Sequence, residues 1–404
     1  MNQTSFPDYQ AAASSAVVQR ADRRLKEYTQ AGKLAGMALF NTLRENIITP
    51  YRIYTTDMTF EGAAKMGEAP IYRAQVGDTR KLFQLHRHAL GQMASEVKIP
   101  TTFVNTLTEG EDWERVELAQ LLEERFHKLN FNQRGGGAPR FINLVVGNQV
   151  RGFVSRSFKR YVKSGPIFEA FVTACAQFGA MPVEALTSDL AFTLRCVLPY
   201  VFELKRNNHI AVGVSCSNSD FGAGTFRISA TVMNLQTGVI SVVRHAKEEK
   251  HVGAAEKDTG NSEVLSDETI EKKLLATQSE VRDVVTSVLH PDHVNELLQQ
   301  IRASMDKEIS WSRFTHYMQG KLTSEELREL SVTLENAQKS CAIADITYDV
   351  DQQAIINLWW AASATAEVAK RHIGEKRDEL QCAAGHLLSS AFSAGTFTPP
   401  RTTL

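Results

Sequence analysis

Acidic residues are missing from one long stretch of this chain: between Arg125 and Phe168 there is no aspartate or glutamate. Cysteine is scarce as well. The five present (Cys175, Cys196, Cys216, Cys341 and Cys382) are widely spaced and form no CxxC pair. That spacing excludes a zinc ribbon, a thioredoxin-like motif and a disulfide framework, and it leaves buried thiols in a reducing compartment as the expectation. Long apolar runs are absent too. None approaches the roughly 18–20 residues of a membrane helix, and residues 1–24 contain no apolar segment of a secretory leader. A cytoplasmic protein without a membrane partner is expected.

What is present is ordinary in bulk. The chain has 404 residues, 45 Lys and Arg against 46 Asp and Glu, and 43 % hydrophobic residues. Such a composition buries sizeable cores without a metal or disulfide staple, and the length suits about two domains. The near-zero net charge of −1 conceals the asymmetry of the acid-free stretch.

The pattern of residues divides the chain into four parts. Residues 1–70 hold an N-terminal helix, from about Tyr9 to Gln30, and short strands around Tyr51, Ile53 and Tyr54. Residues 71–255 form an α+β core. Within it, Ile71–Val76 reads as a strand, Thr79–Glu96 as a helix with Leu82, Phe83, Leu85, Leu90 and Met93 at helical spacing, and Trp113–Leu129 as another helix. Arg140–Val146 and Gln149–Ser155, joined by Gly147-Asn148, form a hairpin. Pro166–Phe178 is helical, Leu190–Leu204 and Ile210–Ser215 are β-rich, Ser217–Gly224 is a loop, and Thr225–Leu235 pairs with Val239–Val243. Residues 262–392 form a helical C-terminal region with helices near Asp267–Leu289, Asp292–Met305, Ser324–Lys339, Gln352–His372 and Glu375–Phe392. Residues 393–404 are a disordered tail. The fold class is therefore α+β: a central antiparallel sheet with hairpins, flanked by helices, with a helical C-terminal region.

The acid-free stretch carries nine cations: Arg125, Lys128, Arg134, Arg140, Arg151, Arg156, Lys159, Arg160 and Lys163. Phe126, Phe131, Phe141, Phe153, Phe158 and Tyr161 are interleaved with them. Cations that neutralise phosphates and aromatic faces that stack bases are the two components of single-strand binding. Alternating phenylalanines are also what a core-facing strand shows, so a solvated charged face over an ordinary core is the competing reading. Gly135-Gly136-Gly137 lacks the trailing Lys-Ser/Thr of a P-loop and reads as a flexible turn. No cofactor is implied.

Candidates for catalysis are weak. Asp189, Glu203 and Asp220 lie near strands and could in principle hold a divalent metal for a nuclease. His86-Arg87-His88 sits at a helix start, and two histidines at i, i+2 do not share a helix face, so a structural role is expected.

Gly213-Val214-Ser215-Cys216-Ser217-Asn218-Ser219-Asp220-Phe221-Gly222-Ala223-Gly224-Thr225-Phe226 resembles the "SNSE.G.G" signature of a phage and plasmid family catalogued as domain of unknown function 932. The upstream family element "RAFLSDRYRPID" is similar to Val150-Arg151-Gly152-Phe153-Val154-Ser155-Arg156-Ser157-Phe158-Lys159-Arg160-Tyr161, with Arg156 where the family holds Asp. Arg244-His245 to Lys250-His251-Val252-Gly253 is similar to its "R..H.G" element. The resemblance covers about Ile71 to Leu388. It implies a protein of a phage or mobile element, acting in recombination or replication, with recombination proteins of the host or phage as possible partners.

Together these readings lead to an expected function: a non-enzymatic single-stranded DNA binding and annealing protein that forms homo-oligomers and hydrolyses no nucleotide. Arg134, Arg140, Arg151, Arg156, Lys159, Arg160 and Lys163 would contact phosphate. Phe153, Phe158 or Tyr161 would stack bases. Ser217, Asn218 and Ser219 would shape a loop beside the groove. The alternatives are an interaction or structural protein of a mobile element, whose basic face meets an acidic partner, and a metal-dependent nuclease.

Overall fold

A computed structural model describes residues 16–129, 140–154, 163–204, 208–250, 267–339, 347–348 and 354–389. The chain is α+β, with antiparallel-rich sheets, hairpins, flanking helices and a helical C-terminal region. Among the described residues its strands are divided between two six-stranded sheets and a small third one. Among the described residues no helix is long and apolar enough to cross a membrane.

Helix α1 (Ala16–Glu45) leads into the first sheet, built from β1 (Ile48–Tyr54), β2 (Met58–Glu61), β3 (Ile71–Val76), β4 (Thr79–Leu85), β5 (Arg140–Val146) and β6 (Gln149–Val154). The order is β1-β5-β6-β4-β3-β2, with all pairs antiparallel except β4–β6. Alternation, with a β-bulge at Arg151 that shifts the phase of β6, sends Tyr72, Ala74, Phe83, Leu85, Phe141, Val145, Val150 and Phe153 to one face. There they bury against α2 (Arg87–Glu96), α3 (Thr101–Thr108) and α4 (Asp112–Leu129). A fully buried side chain of this size contributes roughly 1.5–3 kcal/mol, so this layer has a core of its own. β1 and β2, which precede residue 70, belong to the same sheet as the strands after it.

The helix expected over Thr79–Glu96 is instead a strand followed by a helix. Gly77 at φ 60° and Asp78 make a two-residue turn between β3 and β4. His86 then ends the strand and caps α2, its side chain accepting from His88 N. Leu82, Phe83 and Leu85 fit a helical spacing by accident. On the strand Phe83 and Leu85 point into the core while Leu82 is exposed.

The second half begins with α5 (Ser164–Gln177) and continues as β7 (Met181–Thr187), β8 (Phe192–Val197), β9 (Phe202–Glu203), β10 (His209–Asn218), β11 (Thr225–Asn234) and β12 (Ile240–Lys250). The order is β12-β11-β10-β8-β7, with β9 on β10. Strand β10 is covered on both faces. Ile210, Val212, Val214 and Cys216 enter the main core, while Ala211 meets Ala21 and Leu25 of α1 on the other side. Burial on two sides explains why its sequence is apolar or small at almost every position. At the β11–β12 turn Asn234 Oδ1 accepts from Gln236 N (2.8 Å), and Gly238 takes φ 72°.

The C-terminal region contains α6 (Asp267–Leu289), α7 (Pro291–Ser304), β13 (Glu308–Ser310), α8 (Trp311–Met318), α9 (Ser324–Lys339), β14 (Thr347–Tyr348), β15 (Ala354–Asn357), α10 (Leu358–Ala369) and α11 (Gly374–Leu387). The helix expected over Gln352–His372 is also corrected. Ala354–Asn357 pairs with β13 and β14, and Asn357 caps α10 by accepting from Trp360 N at 2.7 Å. The tail 393–404 and the part of the first helix before Ala16 lie outside the described residues.

Candidate nucleic-acid interface

The acid-free stretch is held by the β5–β6 hairpin. Gly147, at φ 59°, begins its turn as the Gly-Asn signal requires. The inward face carries Phe141 and Phe153, whose ring centroids are 4.8 Å apart and which both pack on Phe126. Phe153 is 1 % exposed, so it cannot offer a face to a base. Its expected stacking role is corrected: the ring is core, as alternation on a half-buried strand dictates.

The outward face of the hairpin meets the loop between β10 and β11. Phe221 packs on Ile142 and Leu144. Gly152 lies directly beneath it, where a Cβ would stand 3.1 Å from both Cα and Cβ of Phe221. Glycine is therefore what lets the loop close on β6. The Phe221 carbonyl accepts from Gln92 Nε2 and lies near His88 Nε2, each at 2.9 Å. Gln92 Oε1 in turn accepts from Phe153 N at 2.7 Å. A carbonyl only accepts, so His88 carries its proton on Nε2. Burial holds His88 and His86 below the usual histidine range, and the pair acts as cap and strut, in the structural role expected.

The same loop fastens the other side of the basic segment. Ser219 Oγ donates to Leu190 O (2.6 Å) and accepts from Phe221 N (3.2 Å) and Ala223 N (2.9 Å). Asn218 Nδ2 donates to Ser164 Oγ (3.0 Å), and Asp220 Oδ1 accepts from Ser164 N (2.6 Å). These bonds sit on the first turn of α5, where an acceptor satisfies an orphan amide and a negative charge is favoured. The Asp220 residue keeps some surface, but its carboxyl is desolvated. Burial pushes it up to about 6, against the opposing pull of Ser164 and Lys163.

Of the expected contact residues, Asn218 and Ser219 are buried and spend their polar groups inside this knot. They are posts of the loop. Ser217 belongs to β10, opposite Arg227 and Thr193, so the strand runs two residues past the expected start of the loop. Arg151 is partly exposed; its Nε donates to Gln149 Oε1 (2.9 Å) and its Nη1 to Asp189 O (3.1 Å), so it bonds a neutral amide and a carbonyl. Lys163 is exposed beside Asp220. Lys128 is paired with Glu124, just outside the acid-free stretch. Arg140 opens β5, opposite Tyr54. Arg134, Arg156, Lys159, Arg160, Phe158, Tyr161 and the triple glycine lie outside the described residues.

Asp189, Glu203 and Asp220 do not converge. Glu203 of β9 lies opposite His209 of β10, Asp220 lies in the β10–β11 loop and accepts from Ser164 N at the start of α5, and among the described residues no three His, Cys, Asp or Glu side chains could share an ion.

A second polar cluster was not legible beforehand. Arg195 on β8 is fully buried. It reaches Glu184 of β7 and, from α11, Asp378 at 3.1 Å and Gln381 at 2.5 Å. Arg227 joins Asp378 (2.8 Å) to Glu248 (3.2 Å), and Arg377 joins Glu184. Nearby, Ser229 Oγ and His245 Nδ1 are 2.8 Å apart, with His245 held low by burial and then by Arg227. Ser229 is 1 % exposed, and the cluster clasps α11 to the sheet.

No family model, curated protein or solved structure matches the chain.

Proposed function

We propose that the chain is a single-stranded DNA binding protein of a phage or mobile element that brings complementary strands together without hydrolysing nucleotide. The observation that carries this reading is the acid-free run of nine cations between Arg125 and Phe168, with both flanks of its central part tied to one loop. β6 is tied through Gly152 and Gln92, and α5 through Ser164.

The mechanism is electrostatic. Each cation that neutralises a phosphate releases a condensed counterion, and two strands so neutralised meet with less repulsion. With Phe153 in the core, Phe158 and Tyr161 are the aromatic residues left to stack on bases at roughly 1–3 kcal/mol each. Homo-oligomers would align such surfaces along a strand. The resemblance of Ser217–Gly224 to a phage and plasmid family agrees with the setting.

Filter binding of a labelled oligothymidylate at low salt tests the reading. Retention that falls steeply as salt is added supports it. Absence of retention at low salt, with the protein folded, ends it and turns attention to an acidic protein partner for the same cations.

A further inference from the structure

Away from the basic segment, a cavity of about 420 Å³ opens between the start of α1 and the strand ends near His209 and Leu235. Arg20, Arg24 and His209 form its polar wall, Ala21 and Leu235 belong to its apolar wall, and no acid lines it among the described residues. Arg24 is held in place, its Nη1 donating to Gln236 O at 2.6 Å. Among the described residues Arg20 reaches Ala16 O, at 3.5 Å through Nε. Each guanidinium has five N–H donors, so both keep donors for a ligand. His209 is 2 % exposed, and its Nε2 has no hydrogen-bond partner among the described residues. A buried imidazole nitrogen left without a partner is costly, and such groups call for an explanation.

We propose that this cavity binds a phosphate monoester. Two guanidiniums and an imidazole N–H supply donors to several sides of a tetrahedral dianion, whereas a flat carboxylate is satisfied by one guanidinium fork. The volume lies within the usual range of small-molecule sites and exceeds what a bare phosphate fills. The apolar wall would take the attached organic group. The phosphate could belong to a free nucleotide or to the 5′ end of a strand. The site shares no residue with the basic segment, so its test is independent of the function proposed above.

The test is thermal unfolding of the full chain with dAMP, inorganic phosphate or deoxyadenosine. The expected result is saturable stabilisation by dAMP, a weaker effect of phosphate and none from deoxyadenosine. Arg20→Ala, at an exposed helix position, should weaken dAMP roughly tenfold or more. His209→Gln, which keeps a donor at the site, should weaken it less. A preference for a 5′-phosphorylated over a 5′-hydroxyl oligonucleotide, lost in Arg20→Ala, would assign the strand end. Equal binding of the two oligonucleotides, with dAMP binding retained, would assign the free nucleotide. Equal stabilisation by deoxyadenosine and dAMP, no stabilisation by dAMP, or unchanged dAMP affinity in Arg20→Ala would overturn the proposal.

Discussion

Replacing Asp220 by asparagine isolates the electrostatics of the loop that fastens the two sheets. The folded protein moves this carboxyl from its ordinary value of 3.8 to about 6, chiefly by burial. Its folded form therefore holds a proton that the unfolded chain has already released. Between about pH 4 and pH 6 the native state binds more protons than the unfolded state, so stability falls as pH rises through that window, and levels off above it. The displacement corresponds to about 3 kcal/mol lost by neutral pH from this group alone. Asparagine has nearly the same shape, still accepts from Ser164 N, and does not ionise. It gives up the favourable charge at the α5 N-terminus, about 0.3–1 kcal/mol. Asp220→Asn should thus match the parent near pH 4 and exceed it by about 2–3 kcal/mol near pH 7. The assay is urea unfolding of both proteins across this range, reading the difference, because other carboxylates dominate each curve taken singly. A variant that is less stable at pH 7, with the deficit growing from pH 4 upward, would refute the reasoning. That result would mean the charged form is net favourable in the fold.

Other perturbations probe the same framework. Phe221→Ala removes a side chain only 4 % exposed that seals Ile142, Leu144 and Gly152. It should cost about 3–5 kcal/mol in chemical denaturation, and a loss below about 1 kcal/mol would mean the loop does not clamp the hairpin. Arg195→Ala removes the buried guanidinium shared by Glu184, Asp378 and Gln381, leaving Glu184 to Arg377 alone and Asp378 to Arg227 alone. A penalty of about 3–5 kcal/mol is expected, with proteolysis appearing first around α11, and unaltered stability would show that the clasp is dispensable. Gly152→Val places carbon where Phe221 stands, so it should destabilise by about 1–3 kcal/mol and increase hydrogen exchange at Phe153 N, which donates to Gln92.

Much of the fold could be read in advance where one local signal was enough. The Gly147-Asn148 turn announced β5 and β6 with nearly their observed limits, and Asp267–Leu289 emerged as one helix because its periodicity is long and ends before Pro291. Reading failed where two periods fit the same residues, as at Thr79–Glu96. It also failed in short elements such as α3 and α8, which are too brief to show a period. The candidate site was half legible. The basic run is visible in composition. How the Ser217–Gly224 stretch is fastened was not legible, because nothing local says that Ser219 turns inward to Leu190 or that Asp220 reaches Ser164. Likewise Phe153 carries the same letter whether it stacks a base or fills a core, and only the partner strand decides. The Arg195 clasp joins residues more than 180 positions apart, a distance that no spacing rule spans.

The central claim is tested most directly by the salt dependence of oligothymidylate affinity, measured between about 50 and 200 mM salt for the parent, Lys163→Ala and Arg160→Ala. Neutralising several phosphates predicts a log–log slope near −0.7 for each contact, made shallower by about one contact in either variant. A flat slope in the parent, or a steep slope that neither variant changes, would contradict the assignment of the basic segment to nucleic acid.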